Sequence, residues 1–173
     1  MTTYIALLRA VNVGGTGKLP MAELTAMCVS LGFSKVQTYI ASGNVVFQSD
    51  LSEAKVKAAL ETKLAAYAGK AVGVHIRSAA QMQAVHDGNP FAQAAPNRVM
   101  AIFVDTLADN SMLMGVTGQK DEQIVLGSGD MRVLYVHYGE GMAQSKLKIP
   151  AAKTGTARNM NTVAKLTEMA FLT

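Results

Sequence analysis

The sequence predicts an α+β protein made of two related ferredoxin-like (split βαβ) subdomains packed into one compact unit, and three observations carry that reading. The first half alternates between stretches of period two or continuous apolar character and stretches of helical period. The order this produces is β-α-β-β-α-β, the split βαβ arrangement. The second half repeats most of that order around a glycine-rich hairpin of its own.

Residues 4–11 read as a strand, Gly14, Gly15 and Gly17 as a loop, and Pro20 as the first-turn proline of a helix running to about residue 31. Met21, Leu24, Cys28 and Leu31 share one face of that helix, and Gly32 ends it. Residues 35–41 and 45–48 form two strands joined by Ser42, Gly43 and Asn44, residue types suited to a tight turn. Ser49, Asp50 and Ser52 are the candidate caps of the next helix, in which Val56, Leu60, Leu64 and Tyr67 recur at helical spacing before Gly69. A short strand over 71–77 and a short helix over 78–86 follow.

The stretch 87–97 holds Gly88, Asn89, Pro90 and Pro96, with Phe91 as its one bulky apolar residue, and reads as a connection. The expected domain limits are therefore 1–88, a linker over 89–97, and 98–173. In the second half, 99–104 is a near-continuous apolar strand and 109–114 a short helical stretch. Strands over 123–126 and 131–138 flank Gly127, Ser128, Gly129 and Asp130. The chain is expected to end in helix, one segment over 145–153 and another over 161–171, where Val163, Leu166 and Ala170 align. On this reading the second half echoes the first without its last strand. Residues 5–8, 99–104 and 133–136 are apolar at consecutive positions, so both faces of each sheet should be covered. Helices cover one face; packing of the two halves against each other is the simplest cover for the other.

Composition bounds the function. Of 173 residues, 50% are hydrophobic and 16% charged, which excludes a disordered chain. A chain this long hides about 70% of its unfolded surface and needs no disulfide or metal staple. Cys28 is the single cysteine, so no internal disulfide forms. The apolar run 4–8 is short and lacks the basic lead and cleavage site of a signal peptide. No stretch approaches the roughly 20 apolar residues of a membrane span. The expectation is a cytoplasmic protein with no membrane partner. Sixteen Lys and Arg against twelve Asp and Glu give a net charge of +4, an excess that suits an acidic partner without requiring one.

Several separated motifs carry a family resemblance. They are Tyr4-Ile5-Ala6-Leu7-Leu8-Arg9, Asn12-Val13-Gly14-Gly15, Pro20-Met21-Ala22-Glu23-Leu24 and Leu31-Gly32-Phe33, then Thr38-Tyr39-Ile40 and Ser42-Gly43-Asn44-Val45-Val46-Phe47. Further on come Asn89-Pro90-Phe91, Ser145-Lys146-Leu147 and Thr156-Ala157-Arg158-Asn159-Met160-Asn161-Thr162-Val163. In that order and spacing the chain resembles the bacterial domain-of-unknown-function family sixteen ninety-seven over nearly its whole length. The resemblance implies a compact α+β protein of two related subdomains, and brings no activity, substrate or cofactor with it. Ala10 stands where that family usually shows glycine, and Met160 where it usually shows tryptophan. If the tryptophan stacks on a ligand, Met160 weakens the site; if it only packs, methionine fills the space.

Candidate binding residues fall in three places. The loop from Asn12 through Gly14 and Gly15 to Lys18 joins a strand to a helix, where backbone N–H groups and a helix start can cradle an anion. It is not a P-loop, because Asn12 and Leu19 occupy positions that would need Gly and Ser or Thr; its glycines serve a plain turn equally well. From 141 to 167 the chain carries Lys146, Lys148, Lys153, Arg158 and Lys165 and no acid, with Thr156, Asn159, Asn161 and Thr162 interleaved, the mixture that phosphate backbones favour. The alternative is a solvated surface, with Asn161 or Thr162 capping a helix. Ser42 and Asn44 are adequately explained by their turn, and enter as site candidates through the resemblance alone. Ser145-x-x-Lys148 and Lys153-Thr154-Gly155 match β-lactamase signatures at the wrong separation and are discounted.

Three function classes follow. The first is a binding module for a phosphate-bearing ligand, nucleotide or nucleic acid, with Arg9, Lys18, Lys146, Arg158 and Lys165 supplying charge. An RNA-reading sheet is disfavoured, since 44–48 offers only Phe47 as an aromatic. The second is an enzyme acting on a small anionic substrate between the subdomains, with Arg158 or Lys146 stabilising developing charge; no base or nucleophile is identified. The third is a structural or protein-interaction role. His75, His86 and His137 lie in separate elements, so neither a metal nor a cofactor is expected. Cys28, on an apolar helix face, reads as packing.

Overall fold

Continuous apolar character puts strand β1 (Thr2–Leu8) in the middle of a sheet, between β3 (Asn44–Ser49) and β4 (Val74–Ser78), with β2 (Ser34–Thr38) outside β3. This is the arrangement in the computed structural model, which describes residues 1–12, 18–139 and 142–173. All three pairings are antiparallel, so β1 and β2 run parallel with β3 inserted between them, the split βαβ topology. Helices α1 (Met21–Ser30) and α2 (Glu53–Ala68) cover one face, where Tyr4, Ala6, Leu8, Val45, Phe47 and Ile76 meet Leu24, Cys28, Val56, Leu60 and Leu64. Phe33 stacks on Phe47 with ring centroids 4.4 Å apart. Each fully buried leucine there contributes about 1.5–3 kcal/mol relative to exposure. The opposite face is closed as well: Ile5 and Leu7 are fully buried, and their register partners Arg77 and His75 nearly so.

The capping chemistry follows the sequence. The Ser52 hydroxyl accepts the Lys55 amide at 3.3 Å to start α2, and Gly69, at φ +72°, ends it. The β2–β3 connection is longer than the three residues expected from sequence. β2 stops at Thr38, and Asn44, read as part of the tip, is instead the fully buried first residue of β3.

The second sheet, β6 (Gln123–Leu126), β7 (Val133–His137), β5 (Val99–Phe103) and β8 (Thr156–Asn159), repeats the order of the first, strand for strand. The last strand, expected from sequence to be absent, is present: β8 pairs with β5 from Met100↔Asn159 to Phe103↔Thr156. The helix expected over 145–153 is also absent. Leu147 and Ile149 turn inward while Lys146 and Lys148 face solvent, the period-two pattern of extended chain. Thr117 and Lys148 exchange backbone hydrogen bonds of 2.8 and 3.0 Å, and Pro150 opens a 3₁₀ turn, Pro150–Thr154. Where the first half has α1, the second has only a 3₁₀ turn, Asn110–Leu113. Loops therefore cover one face of this sheet, through Met112, Val116, Leu147, Ile149 and Ala151 against Ile102, Val104, Leu134 and Val136.

Two further helices follow the two fourth strands: α3 (Ala79–Asp87) and α4 (Met160–Leu172). The chain divides into two units, Met1–Ala80 with Leu166–Thr173, and Gln81–Lys165. Most of α3 thus belongs to the second unit, where the Tyr135 hydroxyl donates to the Val85 carbonyl at 2.6 Å, and the end of α4 belongs to the first. Residues 89–97 lie within the second unit as turns that lead into a 3₁₀ helix, Pro96–Arg98, with Asn89 Oδ1 accepting the Phe91 amide at 2.9 Å.

Candidate functional site

At the end of β1 the Leu8 amide donates to Gly43 and the Arg9 amide to Gly73, each at 2.9 Å, after which the chain leaves the sheet. Ala10 and Asn12 both take left-handed conformations, at φ +54° and +55°. Asparagine tolerates this at little cost, whereas alanine adopts it at a cost of about 1 kcal/mol. The Asn12 side chain then acts as a strut: Nδ2 donates to the Leu19 carbonyl at 2.9 Å and the Ala41 carbonyl at 2.8 Å, while Oδ1 accepts the Leu19 amide at 2.6 Å. It closes the loop at both ends and ties it to the β2–β3 connection. Gly14 and Gly15 lie outside the described residues.

That connection is held by its own side chains. Asn44 Nδ2 donates to the Tyr39 carbonyl at 2.8 Å and to the Ser42 hydroxyl at 2.9 Å. Gly43 sits at φ +89°, and a Cβ there would come 2.6 Å from Val11 and 2.9 Å from Leu8. Ile40 is left-handed as well, at φ +50°, an outlier for a β-branched residue.

Beside this strutted corner lies a groove of about 190 Å³. Ala10, Val11, Lys18 and Leu19 line it on the side of the β1–α1 loop; Leu64, Tyr67, Ala68, Lys70 and Val72 line it from the end of α2 and the segment beyond. Val11, Leu19 and Leu64 are buried and give an apolar floor. Lys18 and Lys70 are exposed on the rim, and Tyr67 is 47% exposed. Among the described residues no acidic one lines the groove. The N-cap of α1, Pro20, makes no side-chain capping hydrogen bond, and Glu23 in the first turn offsets part of the positive end of the backbone dipole. Chemically, the corner offers two ammonium groups, an aromatic face and an apolar floor.

Of the predicted site residues, Asn12, Lys18, Ser42 and Asn44 share this corner, though Asn12, Ser42 and Asn44 are engaged in holding the chain. Arg9 is exposed at the end of β1, opposite Gly73. The C-terminal candidates belong to the second unit and are dispersed. Arg158 is buried, its guanidinium donating to Thr156 Oγ1 at 2.6 Å and to the Ala157 carbonyl at 3.0 Å, and burial pulls its pKa down to about 10, still protonated at neutral pH. Asn159 Oδ1 accepts the Thr162 amide at 2.9 Å and so caps α4, the role that Asn161 or Thr162 was a candidate for. Asn161 and Lys165 are exposed on α4, and Lys146 is exposed beside Glu122. Met160 is buried, so in this chain it packs. Tyr67 and Lys70 were not among the sequence candidates. The available signal was Tyr67, one turn past the stripe Val56, Leu60, Leu64 and next to the helix stop, where the stripe reaches solvent.

Burial pushes the Cys28 thiol up to about 12, which leaves no thiolate at neutral pH. Among the described residues no group of three His, Cys, Asp or Glu is placed to hold a metal ion, and no helix is long and apolar enough to cross a membrane.

The family described as "Protein of unknown function (DUF1697)" matches residues 1–131. The structure is similar to that of the conserved bacterial protein SP0830 from Streptococcus pneumoniae, with a TM-score of 0.80, 28% sequence identity and coverage of 98% of each chain. No curated protein matches. The chain belongs to the DUF1697 family.

Proposed function

We propose that this DUF1697 protein binds a small phosphate-bearing ligand of nucleotide type in the groove of its first unit. The phosphate sits between the ammonium groups of Lys18 and Lys70, and a flat ring lies against Tyr67. The observation that carries the reading is the lining: two lysines and a half-exposed tyrosine over an apolar floor, with no carboxylate among the described lining residues to repel an anion. Binding is favoured over a reaction, because none of the described lining residues is a carboxylate, histidine or thiol able to move a proton at neutral pH. A small ligand is favoured over nucleic acid, because the groove is small and concave and the sheet face that would carry stacking aromatics is buried.

The test is the melting temperature of the full chain with AMP, inorganic phosphate or a short single-stranded RNA, each at low and high salt. A ligand that binds only the folded state raises the melting temperature. AMP is expected to raise it at both salt concentrations, and Lys18→Ala, Lys70→Ala and Tyr67→Ala to abolish most of the rise. A rise with RNA alone that fades with salt marks backbone electrostatics and overturns the proposal. Absence of a rise with AMP and phosphate overturns it too.

A further inference from the structure

The second unit holds a different constellation. Glu122 is only 7% exposed, yet it lines a groove of about 370 Å³ together with Lys120, Tyr138, Ser145 and Lys146. Its carboxylate is held from behind: one oxygen accepts the Lys120 amide at 2.6 Å and the other accepts the Ser145 hydroxyl. Ser145 is fixed in turn by the Leu147 amide, which donates to Oγ at 3.2 Å, and Gln119 Nε2 holds the Glu122 carbonyl at 2.8 Å. The two hydrogen bonds to the carboxylate favour its charged form and lower its pKa. An ionised carboxylate has about four acceptor positions; these contacts occupy two and the Glu122 backbone amide a third.

A buried, ionised carboxylate that lines a groove calls for a cationic donor. Among the described residues no ion pair to Glu122 is formed, although Lys120 and Lys146 stand at the same groove. The Lys120 charge already acts on the Glu122 carboxylate, and the Lys146 ammonium is left for a negative group. The Tyr138 phenol, its pKa raised by burial and by the Glu122 charge, stays protonated and adds a donor beside the carboxylate. Among the described residues, Asp121 brings the lining to two positive and two negative side chains, a neutral wall with separated charges. Such a wall gains little from a pure anion or a pure cation. It matches a small molecule that carries both signs a few bonds apart.

We propose that this groove binds a free α-amino acid, its ammonium group on Glu122 and its carboxylate on Lys146 and Lys120. The volume lies at the low end of the roughly 300–1,000 Å³ usual for small-ligand sites, which suits a ligand of that size. The Ser145–Glu122 contact is then a positioning contact: it aims the carboxylate rather than activating the serine, because a carboxylate of lowered pKa is a poor base.

The experiment uses the full chain and ligand-observed NMR. The probes are glycine, L-alanine, L-glutamine and L-lysine, each beside its N-acetyl and its carboxamide derivative. At least one free amino acid is expected to bind, with both of its blocked derivatives about tenfold weaker or more, since each loses one charge-assisted contact. Glu122→Gln should weaken the free amino acid by a similar factor. Lys146→Ala, at an exposed position that leaves the backbone ties intact, should do the same and covers the case in which Glu122→Gln unfolds the loops. Lys63→Ala, on the surface of α2, should leave binding unchanged. Binding of none of the free amino acids, equal binding of the blocked derivatives, or undiminished binding by Lys146→Ala would each overturn the proposal.

Discussion

Replacing Asn12 tests how the corner at the end of β1 is held. Its side chain makes three hydrogen bonds, two to Leu19 and one to Ala41, and its backbone is left-handed at φ +55°. Each bond is worth about 0.5–1.5 kcal/mol net, with the solvent-exposed bond to Ala41 at the low end, so losing all three costs about 2–3 kcal/mol. Alanine adds a left-handed penalty of about 1 kcal/mol that glycine does not incur. Asn12→Ala should therefore destabilise by about 3–4 kcal/mol and Asn12→Gly by about 2–3 kcal/mol. Denaturant unfolding of the two variants beside the parent protein measures both, and their difference isolates the backbone contribution. If both variants lie within about 0.5 kcal/mol of the parent, the side chain is no strut and the reasoning fails.

Ala10 is exposed at φ +54°, so Ala10→Gly should stabilise by about 0.5–1 kcal/mol, the relief of left-handed strain less the extra freedom of glycine in the unfolded chain; a loss of stability in denaturant titration would contradict this. Cys28 should resist a disulfide reagent at neutral pH and react only at the rate of unfolding, because burial raises its pKa to about 12 and removes access; prompt reaction of the native protein would show otherwise. The Glu122 carboxyl has a folded-state pKa below its unfolded value, so its contribution is present above the unfolded pKa and is lost as pH falls through the folded one. In melting curves against pH, Glu122→Gln should flatten the acid limb; an acid limb as steep as the parent's would contradict this.

The first half was legible from sequence because its elements alternate cleanly between period two and period 3.6, and because Ser52, Gly69 and Gly32 mark helix ends by their ordinary chemistry. The second half was harder for identifiable reasons. Thr156-Ala157-Arg158-Asn159 looks polar, and nothing in the sequence says that Arg158 is held inside by Thr156 and the Ala157 carbonyl; with the arginine counted as outward, the strand disappears. Lys146-Leu147-Lys148-Ile149 alternates strictly before Pro150, and that pattern argued for extended chain against the helix expected there. The β1–α1 loop was found by its glycines, but its partners Tyr67 and Lys70 come from a helix end more than forty residues away, a distance only the tertiary fold closes. Charge counting over 141–167 treated Arg158 like the surface lysines. Burial separates them, and burial is not a property of a charge run.

The most direct test of the central claim is a backbone amide NMR titration of the full chain with AMP. The account predicts that the largest shift changes fall on Lys18, Leu19, Tyr67, Lys70 and Val72, saturate with added ligand, and shrink in Lys18→Ala. Shifts that fall elsewhere, or none at millimolar ligand, would contradict the assignment of a phosphate-binding groove to the first unit.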